Sequence, residues 1–381
     1  MMRLLPVSAA ALFLCLCGAV SVRAQAPGAA DDGEDIRKAG KKDPFTGSDP
    51  KAMAAAGVVS YGSMPWATGI RTDDIDKVLG PDRLLWMETA HFRIGFNLAT
   101  ATAPDEAEAR KQLGVDLGRM KKRHARFPDR ASKLEPWLRL HLYAHRAEEM
   151  YADLAALVGH DDAAGTFLGQ KDKFPLLLFQ KKSDLARFLD RFCGQKGDAS
   201  RAVVYGGAGQ HGIVVTAEGN EPYDEAQFHS HFRNLLAGAL VDAGGSAPYW
   251  LKCGYAHVED RKAPSRLLAV AIKDDDHVDQ DTQHKWHAKM KGRVRHAELL
   301  TPIAELATQY DFGYWQHLQA WSRVDFLLAT DRAKFGELLR KVRAGGGYSA
   351  AVQFEALRTV YGMEPADFDA RWREWVVKTY K

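Results

Sequence analysis

The residues best suited to chemistry lie in two short stretches, Phe228-His229-Ser230-His231-Phe232-Arg233 and Trp250-Leu251-Lys252-Cys253-Gly254-Tyr255-Ala256, with His257 directly after the second. His229, His231, Cys253 and His257 are soft or borderline donors of the kind zinc takes. Cys253 and His257 are spaced i, i+4, so on a helix both address one point, with Glu259 near. Such a set would make a metal site. The plainer reading makes Cys253 a small buried hydrophobe and His257 a surface residue. It is preferred because isolated Cys and His usually have packing roles. A serine nucleophile is not supported. Ser230 sits between two His, but adjacent helix positions do not face each other, and no G-x-S-x-G element exists.

Helices must position both stretches. The first reads as a helix from about Tyr223 to Asp242, with Asp224 and Glu225 in the first turn and Gly244-Gly245 as its stop. Pro248 opens the next helix, Tyr249 to Asp260. Upstream, Glu88 to Phe96 alternates as a half-buried strand, 104–125 and 134–158 have helical spacing, and Phe174 to Phe179 reads as a buried strand. Asp184 to Phe192 is a short helix. Ala202–Tyr205 and Gly212–Thr216 read as strands around the turn Gly206-Gly207-Ala208-Gly209. From about Ala297 the chain is helical, in segments near 299–309, 313–329, 332–343, 350–360 and 366–379. The expected class is α+β, with an α/β part over 84–260 and a helical C-terminal subdomain over 261–381. Residues 25–80 read as a disordered or extended linker, with Met64-Pro65-Trp66 as an anchor point.

Two further constellations have bland readings. His141 and His145 form an i, i+4 pair with Glu148 and Glu149 one turn on; a solvated helix face is preferred over a divalent-ion site. The basic stretch His284 to Arg293 reads as an exposed loop or helix face, offset by Asp274-Asp275-Asp276 upstream.

Composition bounds the partners. The 381 residues are 46% hydrophobic and 27% charged, with a net charge of only +3. That gives no reason to expect nucleic acid or a membrane surface as a main partner. Met1-Met2-Arg3, the apolar run Leu4–Val22 and Val22-Arg23-Ala24 read as a secretory signal peptide over 1–24, cleaved after Ala24, which predicts a secreted or periplasmic protein with no stable membrane insertion afterwards. Cys15 and Cys17 lie in that run, each preceded by Leu, which fits a lipoprotein site poorly. The mature chain keeps Cys193 and Cys253, which form either one disulfide or two buried thiols.

Over residues 85–380 these pieces resemble the peptidase MA-like gluzincin metallopeptidases. The resemblance rests on the strand with His91-Phe92-Arg93-Ile94, the run Phe174–Phe179, the strand Gly212-Ile213-Val214-Val215-Thr216 before the helix, the W-L-x-x-G-x-A element, and Phe368, Trp372 and Trp375 near the end. It implies a gluzincin-like fold: a mixed sheet with 212–216 as edge strand, an active-site helix beneath it and a helical C-terminal half. The family carries H-E-x-x-H and a third ligand Glu in W-L-x-E-G-x-A. By that resemblance His229 matches the first ligand, Ser230 stands for the base, Arg233 for the second His and Cys253 for the third ligand. A register starting at His231 puts Phe232 and Leu235 at those positions instead. Neither contains H-E-x-x-H. The base, worth orders of magnitude in rate, is missing, and a guanidinium cannot ligate a dication.

The expectation is therefore a catalytically inactive peptidase homologue that binds a peptide or protein ligand. Its cleft would be lined by Val214, Val215, His229, Arg233, Cys253 and Tyr255, and Arg233 would bind a carboxylate where zinc once sat. No cofactor is expected. Zinc enters only in the competing reading, an active metallohydrolase rebuilt on His229 or His231, Cys253 and His257. A purely structural envelope protein is the third reading.

Overall fold

The computed structural model describes residues 32–206, 209–218, 224–265, 285–296 and 300–381. The leader expected over 1–24, Tyr223, His284 and Asp274-Asp275-Asp276 lie outside the described residues.

Residues 32–381 form one compact unit. Helices α1 (Asp32–Ala39) and α2 (Pro50–Ala56), the ribbon β1 (Pro65–Ala67) and β2 (Ile70–Arg71), and α3 (Thr72–Leu79) come first. Then come β3 (Leu85–Glu88), β4 (Phe92–Phe96), β5 (Ala101–Thr102), α4 (Ala107–Arg123), β6 (Lys133–Leu134), α5 (Pro136–Val158) and β7 (Phe174–Phe179). After α6 (Lys182–Phe188), β8 (Arg201–Tyr205) and β9 (Gln210–Thr216) precede the two helices of interest, α7 (Glu225–Asp242) and α8 (Tyr249–Asp260). The rest is helical: α9 (Trp286–Arg295), α10 (Ile303–Leu306), α11 (Tyr314–Thr330), α12 (Arg332–Ala344), α13 (Ala350–Tyr361) and α14 (Pro365–Thr379). The chain is thus mixed α/β with a mixed sheet, and among the described residues no helix is long and apolar enough to cross a membrane.

The main sheet has the order β3-β4-β7-β9-β8. β4, β7 and β9 run parallel, and β3 and β8 are antiparallel to their neighbours. The expected edge strand, Gly212–Thr216, is therefore interior, and the edges are β3 and β8. The physical reason is visible in β9 itself: Ile213, Val214 and Val215 are all fully buried, as a strand covered on both faces must be. Side chains alternate between two cores. Phe92, Ile94, Phe96, Leu176, Leu178, Ile213 and Val215 join the core that includes α5, α7 and α8. Leu177, Phe179, Val203, Tyr205 and Val214 pack with Trp66, Ile75 and Phe188 on the opposite face.

Residues 32–80 are not a solvated linker. Trp66 and Ile75 are fully buried, and Asp43 fastens the segment to α5. The Asp43 carboxylate accepts from Thr46 Oγ1 (2.5 Å), Tyr61 Oη (2.6 Å) and His141 Nε2 (3.1 Å). Burial opposes its charge, but these donors, His141 foremost, hold it well below the usual carboxylate range. This also corrects the solvated-face reading of His141 and His145: both are buried, His141 against Asp43 of this segment. The basic stretch, expected as an exposed loop or helix face, keeps Lys285 and His287 exposed but buries its tryptophan. Its described part is the helix α9, and Trp286 is fully buried beneath the Arg261 guanidinium, 4.5 Å from the ring centroid.

Candidate functional site

α7 begins at Asp224, whose Oδ1 accepts from the Gln227 N–H at 2.7 Å. Its first turn carries Glu225, almost fully buried among cations from α5. Glu225 Oε2 takes Arg139 Nη2 at 2.7 Å, and Oε1 accepts from Tyr143 Oη at 2.7 Å and faces Arg146 Nη1 at 3.4 Å. Arg146 also bonds Asp116 of α4 at 2.9 Å. This network fixes α7 beneath the sheet.

α8 is held against α11 by its glycine. A Cβ on Gly254 would come within 2.5 Å of the Ala320 carbonyl oxygen, so this position of the W-L-x-x-G-x-A element is a close helix crossing. Trp250 of the same element donates from Nε1 to Gln353 Oε1 at 2.9 Å. Both conserve packing geometry; neither touches a reacting group.

Between α7 and α8 the sequence-predicted residues go to different places. Arg233 is bound to Glu259: Nη2 lies 2.6 Å from Oε2, and Nε donates to the Glu259 carbonyl oxygen at 2.8 Å. Lys262 Nζ reaches the other carboxylate oxygen at 2.5 Å. Burial works against the Glu259 charge, but Arg233 and Lys262 outweigh it and hold its pKa below the ordinary value. The carboxylate expected opposite Arg233 is thus the chain's own. Tyr255 is inside rather than on a cleft wall: it stacks on Phe335 at 6.0 Å, and burial, then Glu259, pushes its hydroxyl well above the usual range.

His229 is buried beside Tyr143, and its Nε2 has no hydrogen-bond partner among the described residues. Burial, then Arg146 and Arg233, hold its pKa well below the usual value. Burial brings His231 down to about 4. The two imidazoles, i and i+2, point to different sides of α7. Ser230 Oγ donates to the Asp260 carbonyl at 3.4 Å. Val214 faces the opposite core from α7, whereas Val215 faces the α7 side. Cys253 is partly buried and free, as is Cys193, so no disulfide joins them. Burial pushes the Cys253 thiol up to about 12. The expected cleft of six residues is not assembled.

His257 is buried, not on the surface. Its Nδ1 lies 2.8 Å from Asp260 Oδ2, and its Nε2 lies 3.1 Å from Nδ1 of His317 on α11. Asn234 Nδ2 donates to the same Asp260 oxygen at 2.8 Å. With Nδ1–H given to the carboxylate, Nε2 is the acceptor for His317. Glu259 is noted in the sequence only as lying near Cys253 and His257, and Asp260, His317 and Asn234 carry no sequence signal beyond being polar residues on helices with apolar faces.

The gluzincin resemblance implies zinc, and this donor set does not fit it. The second-ligand position holds a paired guanidinium, the third a protonated thiol, and His257 uses both nitrogens. Two arginines add repulsion to any dication near His229. Among the described residues no group of three or more His, Cys, Asp or Glu is arranged to hold a metal ion. Comparison with known proteins returns no family model, no curated protein and no solved structure that matches this chain.

Proposed function

We propose that this chain is an exported, peptidase-like protein that no longer hydrolyses peptides and instead binds an extended peptide or protein segment. The observation carrying the loss of hydrolysis is the Arg233–Glu259 ion pair between α7 and α8, at the position where the gluzincin resemblance calls for a metal ligand. The scaffold supports the reading: a mixed sheet, an antiparallel edge strand and a helix packed beneath it. Among the described residues no strand pairs with the outer edge of β8, and Val204 on β8 is 56% exposed. An added strand would gain main-chain hydrogen bonds there, with alternate side chains set against the surface.

The test is hydrogen exchange of the mature protein, residues 25–381, with and without members of a random short-peptide library. A binding peptide should slow exchange in Arg201–Tyr205, and Val204→Pro, which removes an edge N–H, should abolish binding while leaving the fold intact. Binding that survives Val204→Pro, or peptide cleavage that a chelator stops, would overturn the proposal.

A further inference from the structure

A cavity of about 530 Å³, lined by no residue of α7 or α8, lies between the N-terminal segment and the β3 edge of the sheet. Trp86, Trp137 and Tyr61 supply its aromatic lining. Three carboxylates also line it: Asp73 and Asp76, on one face of α3, and Asp82 from the turn before β3. These groups are held in place. The Trp86 Nε1–H donates to both Asp76 oxygens, at 3.2 and 3.1 Å. Ser63 Oγ donates to Asp73 Oδ2 at 2.7 Å, and Lys41 Nζ pairs with Asp82 at 2.6 Å. Asp73 and Lys41 are exposed, which marks the side open to solvent.

The lining selects for charge. Carboxylates outnumber the cations Arg37 and Lys41, so an anion is disfavoured. Aromatic faces beside carboxylates are the surroundings in which an organic cation gains both cation–π and Coulomb energy. Asp76 in particular is only partly compensated: burial, then Asp73 and Asp82, push it up to about 6 despite the Trp86 hydrogen bond and the charge of Lys41, which itself pairs with Asp82. A cation placed there would relieve that cost. We propose that this cavity binds a small organic ammonium, with its charged end at Asp73 and Asp76 and its apolar body against Trp86 and Trp137. The proposal is independent of the peptide-binding reading.

The Trp86 indole N–H reports directly on the site, and its NMR signal is assigned by its loss in Trp86→Phe. The mature protein is titrated with phenethylammonium and with tryptammonium, using phenethyl alcohol as the neutral control. The ammonium ions should shift the Trp86 signal and the alcohol should not. Binding should be roughly tenfold weaker at pH 5 than at pH 7.5, because a carboxyl that titrates near 6 is mostly protonated at the lower pH. Asp76→Asn should abolish the shift, and Asp73→Asn should weaken it. Equal response to the alcohol, unchanged binding in a folded Asp76→Asn protein, or no response to either ammonium at millimolar concentration would overturn the proposal. So would a Trp86 shift with N-acetylglucosamine but not with the ammonium ions.

Discussion

Replacing Glu259 with Gln removes the charge that faces Arg233 while keeping the side-chain shape. The two side chains are 3% and 11% exposed, so the guanidinium left behind is poorly hydrated. Removing one partner of such a buried pair costs about 3–5 kcal/mol. Arg233 keeps its 2.8 Å bond to the Glu259 carbonyl, which places the cost near the lower end. About 3 kcal/mol is roughly a hundredfold in the folding equilibrium, read as a fall in the urea midpoint at unchanged slope. The double change Arg233→Met with Glu259→Leu should recover most of it, because an apolar pair carries no desolvation cost. The pH dependence has a definite sign. The Glu259 pKa is lowered in the folded state, since Arg233 and Lys262 outweigh burial. Its contribution is therefore complete above the ordinary value of 4.5 and fades as the pH falls through the lower folded value. The cost of Glu259→Gln should shrink in acid accordingly. A cost under about 1 kcal/mol at pH 7, typical of a solvated pair, or one that does not shrink in acid, would refute the ion pair as the bond between α7 and α8.

Three other outcomes are expected. Gly254→Ala should destabilise by about 1–3 kcal/mol in urea unfolding, because its Cβ meets the Ala320 backbone of α11 as well as the buried, β-branched Val324 side chain. Cys253 and Cys193, pushed up by burial to about 12 and about 11, should react slowly with iodoacetamide at pH 8 in the native protein and rapidly in denaturant. His91 lies 2.5 Å from Glu148 and 3.0 Å from Asp162, and these partners raise its pKa against the effect of burial. Its charged form thus stabilises the fold below 6.5, and that contribution is lost as the pH rises through the raised folded value. His91→Asn should cost more at pH 6 than at pH 9 by thermal or urea unfolding.

The elements around the candidate site were largely legible in the sequence. Tyr249–Asp260 was read with the bounds that α8 has, and α7 starts two residues later than expected, after its Asp224 cap. What failed was placement across the chain. The resemblance places Gly212–Thr216 at an edge, yet the continuous apolar run Ile213-Val214-Val215 marks a strand covered on both faces. The segment 32–80 was read as linker because its buried anchors, Asp43, Trp66 and Ile75, are scattered among polar and small residues, with no period to betray them. The Arg233–Glu259 pair joins two helices, and nothing local to either residue announces the other. The cavity beside Trp86 is made by five separate pieces of chain and has no sequence signature at all.

The most direct test of the central claim is the zinc content of the mature protein, residues 25–381, purified with zinc present and measured by elemental mass spectrometry. Near-zero metal per chain is expected, unchanged in Cys253→Ala and His257→Ala. About one zinc per chain, lost in either variant, would contradict it and establish a rebuilt metal site between α7 and α8.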